Sequence, residues 1–534
     1  MNNNLELVLP QNNSYDDIPY NSRPVTETHP CRLGALAALF GMEPCDLKEA
    51  RVLEIGCANG DNLIPHAVNN PGGQFVGIDL SKVHIDEANK YVSGLELKNI
   101  KFHNCSIADV NDDFGKFDYI ICHGVFSWVP EYIRTKILTV CSKNLNKNGI
   151  AYISYNTMPG WNMHSTLRDL MLYHTKSAVS HDDKIAQSTI LLNFIKDYRA
   201  NSNNSNWYVN FLKKEATKLL TEHKVNYWFH EHLEKHNKAY YFYEFINKVK
   251  KHNLQYLSDC YLLSMNLNEQ SEAIRIALQW ANNIVKTEQY YDFLNNRLFR
   301  ETLLCHDSIV LNRKIYNYDI SKFNMTSNLT PSISLDQIDI NDPSQSIKFF
   351  HDDDENIFLT ASSPIKKAIY YSFSENINNP LDYNELISIA NKKLNRDQLN
   401  EVKNTFLTDA INLVFRGYIN ITLQKNGINN VNKNKPCISK FNFYRVHNTA
   451  SLEVVNIMHQ SIVINFFEKT AFKYMDGNND VTKICDLVLK DFDSKKIVWT
   501  DEEKHVYTAE EARKRVEELV DQAINRAVIN GLLI

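Results

Sequence analysis

The sequence is poor in most of the features that would assign it to a specialised class. Glycine is sparse, 16 in 534 residues, and with 43% hydrophobic and 23% charged residues the chain is neither fibrous nor disordered. Basic charge is not in excess. The net charge of −5 gives no indication of a general affinity for nucleic acid or anionic membranes. No apolar run approaches the ~18 residues of a membrane-spanning helix, so no membrane insertion is expected. The opening MNNNLELVLPQNNSYDD lacks the basic-then-apolar order of a secretory signal. The ten cysteines are scattered without a C-x-x-C pair, and H-E-x-x-H is absent. A zinc site or a disulfide framework is therefore not expected, and reduced thiols in a cytoplasmic protein are the simpler reading.

What is present is length and pattern. A chain of 534 residues exceeds the ~250–300 that one core supports, so two or three domains are expected. Between Ala50 and Tyr155 the apolar runs RVLEIG, QFVGIDL, NIKFHN, FDYIICH and GIAYISYN alternate with helical patterns. Such alternation predicts an α/β domain with a parallel, doubly wound sheet covered on both faces. We assign residues 1–160 to this domain and 161–306 to a mainly helical middle domain rich in aromatics. Residues 307–362 read as a connector with short strands. The pattern helix–helix–helix–strand over 363–422 suggests a winged-helix-like unit, within a C-terminal domain spanning 363–534.

The stretch RVLEIGCANGD puts a glutamate and two glycines at the tip of the first strand. Gly56 and Gly60 allow backbone conformations and close approaches that a side chain would block. In an open parallel sheet, ligands sit at the carboxyl ends of the strands. The phosphate-loop pattern fails because Asp61 follows Gly60 where a lysine is required, and G-x-G-x-x-G fails after Gly56. Pyrophosphate would be repelled by Glu54, whereas a ligand bearing an ammonium or sulfonium group would tolerate it. Asp79, at the end of the second strand, is spaced to take ribose hydroxyls, although it could instead cap the next helix.

The stretches VLEIGCANGDN, VGIDLS, NCSIADV, FDYIICHGVFSWVP and GIAYISYNTMPGW occur in the order seen in class I S-adenosylmethionine-dependent methyltransferases, which this chain resembles. The resemblance implies roles for matched positions. Gly56, Cys57 and Gly60 would approach the methionine part of S-adenosylmethionine, with Asn62 just beyond. Glu54 would lie near its ammonium, Asp79 on the ribose and Leu80 on the adenine. Ser106 and Ile107 would meet the adenine edge, and His123 and Gly124 would line the transfer site. YNSRPVTETHPCRLGALAALFGMEP, SYNTMPGW and HEHLEKHNKAYYFYEFINKVKKHNLQYL narrow the resemblance to methyltransferases that carry a methyltransferase regulatory domain. Over its whole length the chain is similar to the rickettsial protein-lysine methyltransferases that modify outer membrane protein B. That implies a multiply methylating enzyme, up to trimethylation, with an outer membrane protein as substrate, and it leaves a homodimer open.

Methyl transfer to lysine needs a neutral amine in a dry, aligned site, while a free lysine titrates near ~10.4. Candidates near the sheet edge are His123, Trp128, Tyr155, Asn156 and Trp161, with Tyr20 as a lid over the cofactor. Each has a plainer reading. Trp128 could pack beneath its helix, Tyr155 could belong to the core, and His123 could be an ordinary loop histidine. Two other functions compete: methylation of a small molecule or another protein, and a non-enzymatic cofactor-binding interaction module. The ~370 residues beyond the catalytic sheet exceed what a small-molecule lid needs. The intact glycines and acids speak against a dead site.

Overall fold

The computed structural model describes residues 18, 22–198, 206–222, 225–266, 270–279, 283–351, 354–425, 431–494 and 507–534. Tyr20 lies outside the described residues.

Helix α1 (Pro30–Leu39) starts at a proline, where no amide is needed, and the His29 ring accepts the Cys31 N–H. The alternating unit follows in order: β1 (Arg51–Ile55), α2 (Ile64–Asn69), β2 (Gln74–Asp79), α3 (Lys82–Gly94), β3 (Ile100–Asn104), β4 (Phe117–Cys122), α4 (Glu131–Lys143) and β5 (Leu145–Asn156). Next come α5 (Trp161–His174), α6 (His181–Asp197), α7 (Trp207–Thr221), α8 (Val225–Leu233) and α9 (Phe242–Lys250). Then β6 (Leu254–Asp259), α10 (Glu272–Gln279), α11 (Ile284–Asn295) and β7 (Phe299–His306) return the chain to the sheet.

The sheet has seven strands in the order β3-β2-β1-β4-β5-β7-β6. The first five are parallel; β7 runs antiparallel to both β5 and β6. This is a Rossmann-like arrangement, and β1 and β4 flank the point where the strand order reverses. The catalytic domain therefore does not end at residue 160. Residues 254–306 supply two of its strands, because β5 would otherwise present a row of unpaired amides and carbonyls at an apolar edge. The helical part proper is α5 to α8, which share a core around Leu192, Trp228 and Phe229.

One sheet face is covered by α4 and α9, through Ile137, Leu138, Phe242 and Phe245. On the other face, α1 carries the core outward to Phe323, Phe349, Phe373 and Phe406. The segment 307–362 is thus part of a packed unit and not a loose connector. It contains β8 (Asn324–Thr326), β9 (Leu329–Pro331), β10 (Ile347–His351) and β11 (Asp354–Ala361). The expected three helices and strand follow as α12 (Pro364–Ser374), α13 (Tyr383–Lys392), α14 (Leu399–Phe415) and β12 (Asn420–Thr422). However, β12 pairs with β8, which ties 363–422 to the preceding segment. The C-terminal domain is correspondingly shorter than expected. It comprises α15 (Lys440–Asn448), β13 (Glu453–Val455), β14 (Ser461–Val463), α16 (Phe466–Phe472), α17 (Val481–Ser494) and α18 (Ala509–Ile529), around its own core of Phe472, Val488 and Val520.

Candidate active site

The carboxyl end of β1 opens into the glycine turn. Gly56 has φ +74°, and a Cβ there would lie 2.5 Å from Val125 Cγ2, so the position requires glycine for both torsion and space. The Gly56 and Cys57 amides both donate to the Ile78 carbonyl, at 2.8 and 3.1 Å, which clips the turn to β2. Cys57 does not face the mouth. Its side chain is buried beneath Gly77, where an added Cβ would meet Sγ at 2.8 Å, so the thiol packs under the turn.

Glu54 is buried at the end of the same strand. Its Oε1 accepts from Asn62 Nδ2 at 2.7 Å, and its buried Oε2 has no protein partner among the described residues. Burial raises its carboxyl to about 8, against the opposing Asn62 hydrogen bond. A buried acceptor without a donor calls for a cationic or hydrogen-bonding ligand. Asp79 stands half-exposed at the end of β2. Its Oδ2 accepts the Ala58 amide at 2.9 Å and its Oδ1 the Ser81 amide at 2.8 Å. Ser81, not Asp79, is the N-cap of α3. Each carboxylate oxygen keeps a second lone pair for a ribose hydroxyl. Leu80 is 49% exposed beside it, an apolar surface for a base. Ser106 and Ile107 follow β3. Ser106 caps a short 3-10 turn through the Ala108 amide, leaving both residues partly exposed at the same edge. These groups fit a nucleoside that carries an amino-acid tail.

After β4 come His123 and Gly124. Gly124 is exposed, has φ +66° and donates its amide to Ser154 Oγ. His123 Nδ1 lies 2.8 Å from the Tyr152 hydroxyl, which donates to Glu301 Oε1 at 2.7 Å. Burial lowers His123 to about 4, so the ring is neutral, and burial raises Glu301 to about 8. Phe299 presents its edge to His123 at 6.2 Å. Tyr152 and Glu301 were missed in the sequence. The available signal was an acid inside the apolar strand FRETLLCH, the same feature that made Glu54 conspicuous.

Tyr155 is a core residue. It is 1% exposed, stacked on Phe245 at 4.1 Å, and its hydroxyl accepts from Thr302 at 3.3 Å. One residue further on, the strand alternation turns Asn156 to the other side. Its amide Nδ2 is buried without a partner. Trp128 is half-buried and meets the edge of the mostly buried Trp161 at 6.3 Å.

A methyltransferase domain family matches residues 46–260, a predicted methyltransferase regulatory domain matches 224–306, and the PKMT C-terminal winged helix domain matches 434–532. The winged helix thus lies after the helices of 363–422. An uncharacterised protein of Rickettsia prowazekii (strain Madrid E) is 48% identical over 522 residues, 98% of this chain and 94% of its own. The structure of PKMT2 from Rickettsia typhi in complex with AdoHcy superposes with a TM-score of 0.88 at 36% identity, over 96% of this chain and 100% of the other. The chain belongs to the PKMT family of S-adenosylmethionine-dependent methyltransferases.

Proposed function

We propose that the chain is a protein-lysine N-methyltransferase that modifies lysines of an outer membrane protein of the outer membrane protein B type, adding up to three methyl groups. The correspondence with PKMT2 over 96% of the chain supports the protein-lysine methyltransferase reading; the outer membrane protein and the number of methyl groups are what the whole-chain resemblance implies. S-adenosylmethionine, when bound, supplies the methyl group on its sulfonium. Glu54 accepts from its ammonium, with Asn62 holding the carboxylate; Asp79 takes the ribose; Leu80, Ser106 and Ile107 flank the base. Gly124, Asn156, Trp128 and Trp161 border the place where the amine arrives. The incoming lysine must lose a proton. His123 accepts it at Nε2 while its Nδ1–H donates to Tyr152, and the Tyr152 proton passes to the Glu301 carboxylate, which becomes a carboxylic acid. A carboxyl titrating near 8 is a better-matched final acceptor than an exposed one.

No helix of the described residues is long and apolar enough to cross a membrane, and the ten cysteines are free thiols. The test is mass spectrometry of outer membrane protein B fragments incubated with protein and S-adenosylmethionine. Gains of one to three methyl groups on lysine are expected. Tight cofactor binding without any gain would overturn the substrate assignment and direct the search to small molecules and other proteins.

A further inference from the structure

The C-terminal domain touches the catalytic domain at the back of the cofactor turn. Two of its side chains reach consecutive residues there. Arg445 Nη1, on α15, lies 3.0 Å from Asp61 Oδ1, and both side chains are less than 10% exposed. The loop joining β13 to β14 inserts His459, whose Nε2 lies 2.8 Å from Asn62 Oδ1. The same Asn62 oxygen accepts the Val25 amide at 2.8 Å. An amide oxygen only accepts, so His459 is the donor and carries its proton on Nε2.

The His459 ring is buried among the described residues. It stacks on His66 at 4.1 Å and meets the edge of His29 at 5.7 Å. Its carbonyl accepts from Thr26 Oγ1 at 3.2 Å. To present the ring, the backbone takes φ +61°, a conformation costly for histidine and sustained here by the surrounding contacts. Around this point α15 seals onto α3. Tyr444 and Phe441 pack on Tyr91, and a Cβ at Gly94 would lie 2.1 Å from the Tyr444 ring. The insertion is therefore a built joint.

Asn62 is the middle link of a chain. Its oxygen is held by His459 from one domain, and its Nδ2 donates to Glu54 Oε1 at 2.7 Å in the other. A side-chain amide pinned at both ends has one orientation, and that orientation fixes the carboxylate. We propose that His459 and Arg445 are positioning residues of the cofactor site. The C-terminal domain, by clamping Asp61 and Asn62, holds Glu54 where it can accept the ammonium of S-adenosylmethionine. Docking of this domain and cofactor affinity are then linked in both directions. The inference rests on the cofactor site described above and is independent of the methyl acceptor.

The test uses the full chain and calorimetric binding of S-adenosylhomocysteine, with thermal unfolding of each ligand-free variant beside it. His459→Leu keeps an apolar side chain in the ring cluster and removes the donor. His459→Gln keeps an amide donor. His459→Leu should weaken binding about tenfold, as expected when one buried hydrogen-bond partner is removed. His459→Gln should stay within about threefold of the parent. In an Asn62→Ala background, His459→Leu should have no further effect, because the link is already cut. Arg513→Ala, an exposed change on the same domain, should leave affinity unchanged. The proposal is overturned if His459→Leu binds like the parent, if Leu and Gln lose affinity equally, or if the loss persists undiminished in the Asn62→Ala background. Failure of cofactor binding in the parent itself would refute the site and not the clamp.

Discussion

Replacing Glu54 by glutamine should remove a pH-dependent loss of stability from the ligand-free protein and weaken cofactor binding. The carboxyl is buried and raised from its ordinary 4.5 to about 8. The folded protein therefore keeps it protonated at neutral pH, while the unfolded chain ionises it. The sign follows: stability associated with this group is fully present below the unfolded pKa and is lost as pH rises towards the folded one. Each pH unit in that window costs about 1.4 kcal/mol. The penalty therefore grows by about 2–3 kcal/mol between pH 5 and pH 7. Glutamine does not titrate. Whatever it costs to place an amide donor where Oε2 lies, that cost is the same at both pH values and cancels in the difference. Urea unfolding of the ligand-free protein at pH 5 and pH 7 should thus show the Glu54→Gln variant gaining about 2–3 kcal/mol relative to the parent on going to pH 7. Calorimetry should show cofactor affinity falling by about one to two orders of magnitude, the loss of a buried charge-assisted hydrogen bond. A stability difference that does not change with pH would refute the raised carboxyl, and unchanged affinity would refute the ammonium role.

Asp79→Ala should weaken cofactor binding at least about tenfold with the far-UV circular dichroism unchanged, since the carboxylate both faces the mouth and holds the Ala58 amide; unaltered calorimetric affinity would remove the ribose assignment. Glu301→Gln should lower kcat on a lysine substrate about tenfold to a thousandfold with KM little changed, and should flatten the rise of kcat between pH 6 and 8; a parental pH profile would exclude the relay. Arg300 is fully buried between Glu288 at 3.0 Å and Asp292 at 2.7 Å and lies over Phe242. Arg300→Ala should cost about 3–5 kcal/mol by removing the cation between Glu288 and Asp292 and leaving Asp292, among the described residues, only Arg297 at 3.8 Å, read as a lower urea midpoint; a loss below about 1 kcal/mol would show that the cluster relaxes by protonation.

How much was legible follows from how local each signal is. The parallel half of the sheet was readable because β1 to β4 are short, largely apolar strands of five or six residues, each ended by its own turn, as in RVLEIG and QFVGIDL. The glycine turn and Asp79 were readable because a ligand edge in such a sheet is set by the first two strand ends. Tyr155 was ambiguous: alternate strand residues point to opposite faces, and only the packed neighbour Phe245 decides which face is core. The misplaced boundary at 160 has a similar origin. The runs that become β6 and β7 are no different locally from strands of a separate domain, and only the open edge of β5 recruits them.

By itself, then, the sequence determined the fold class and pointed to the cofactor edge, because these depend on patterns within a few tens of residues. Only the tertiary structure decided that Glu301 stands behind Tyr152, 149 positions away, and that His459 grips Asn62 across 397. Contacts of that separation leave no periodicity in the chain. They form because a buried carboxylate and a buried amide must find partners once water is excluded, and the folded core determines which partners are within reach.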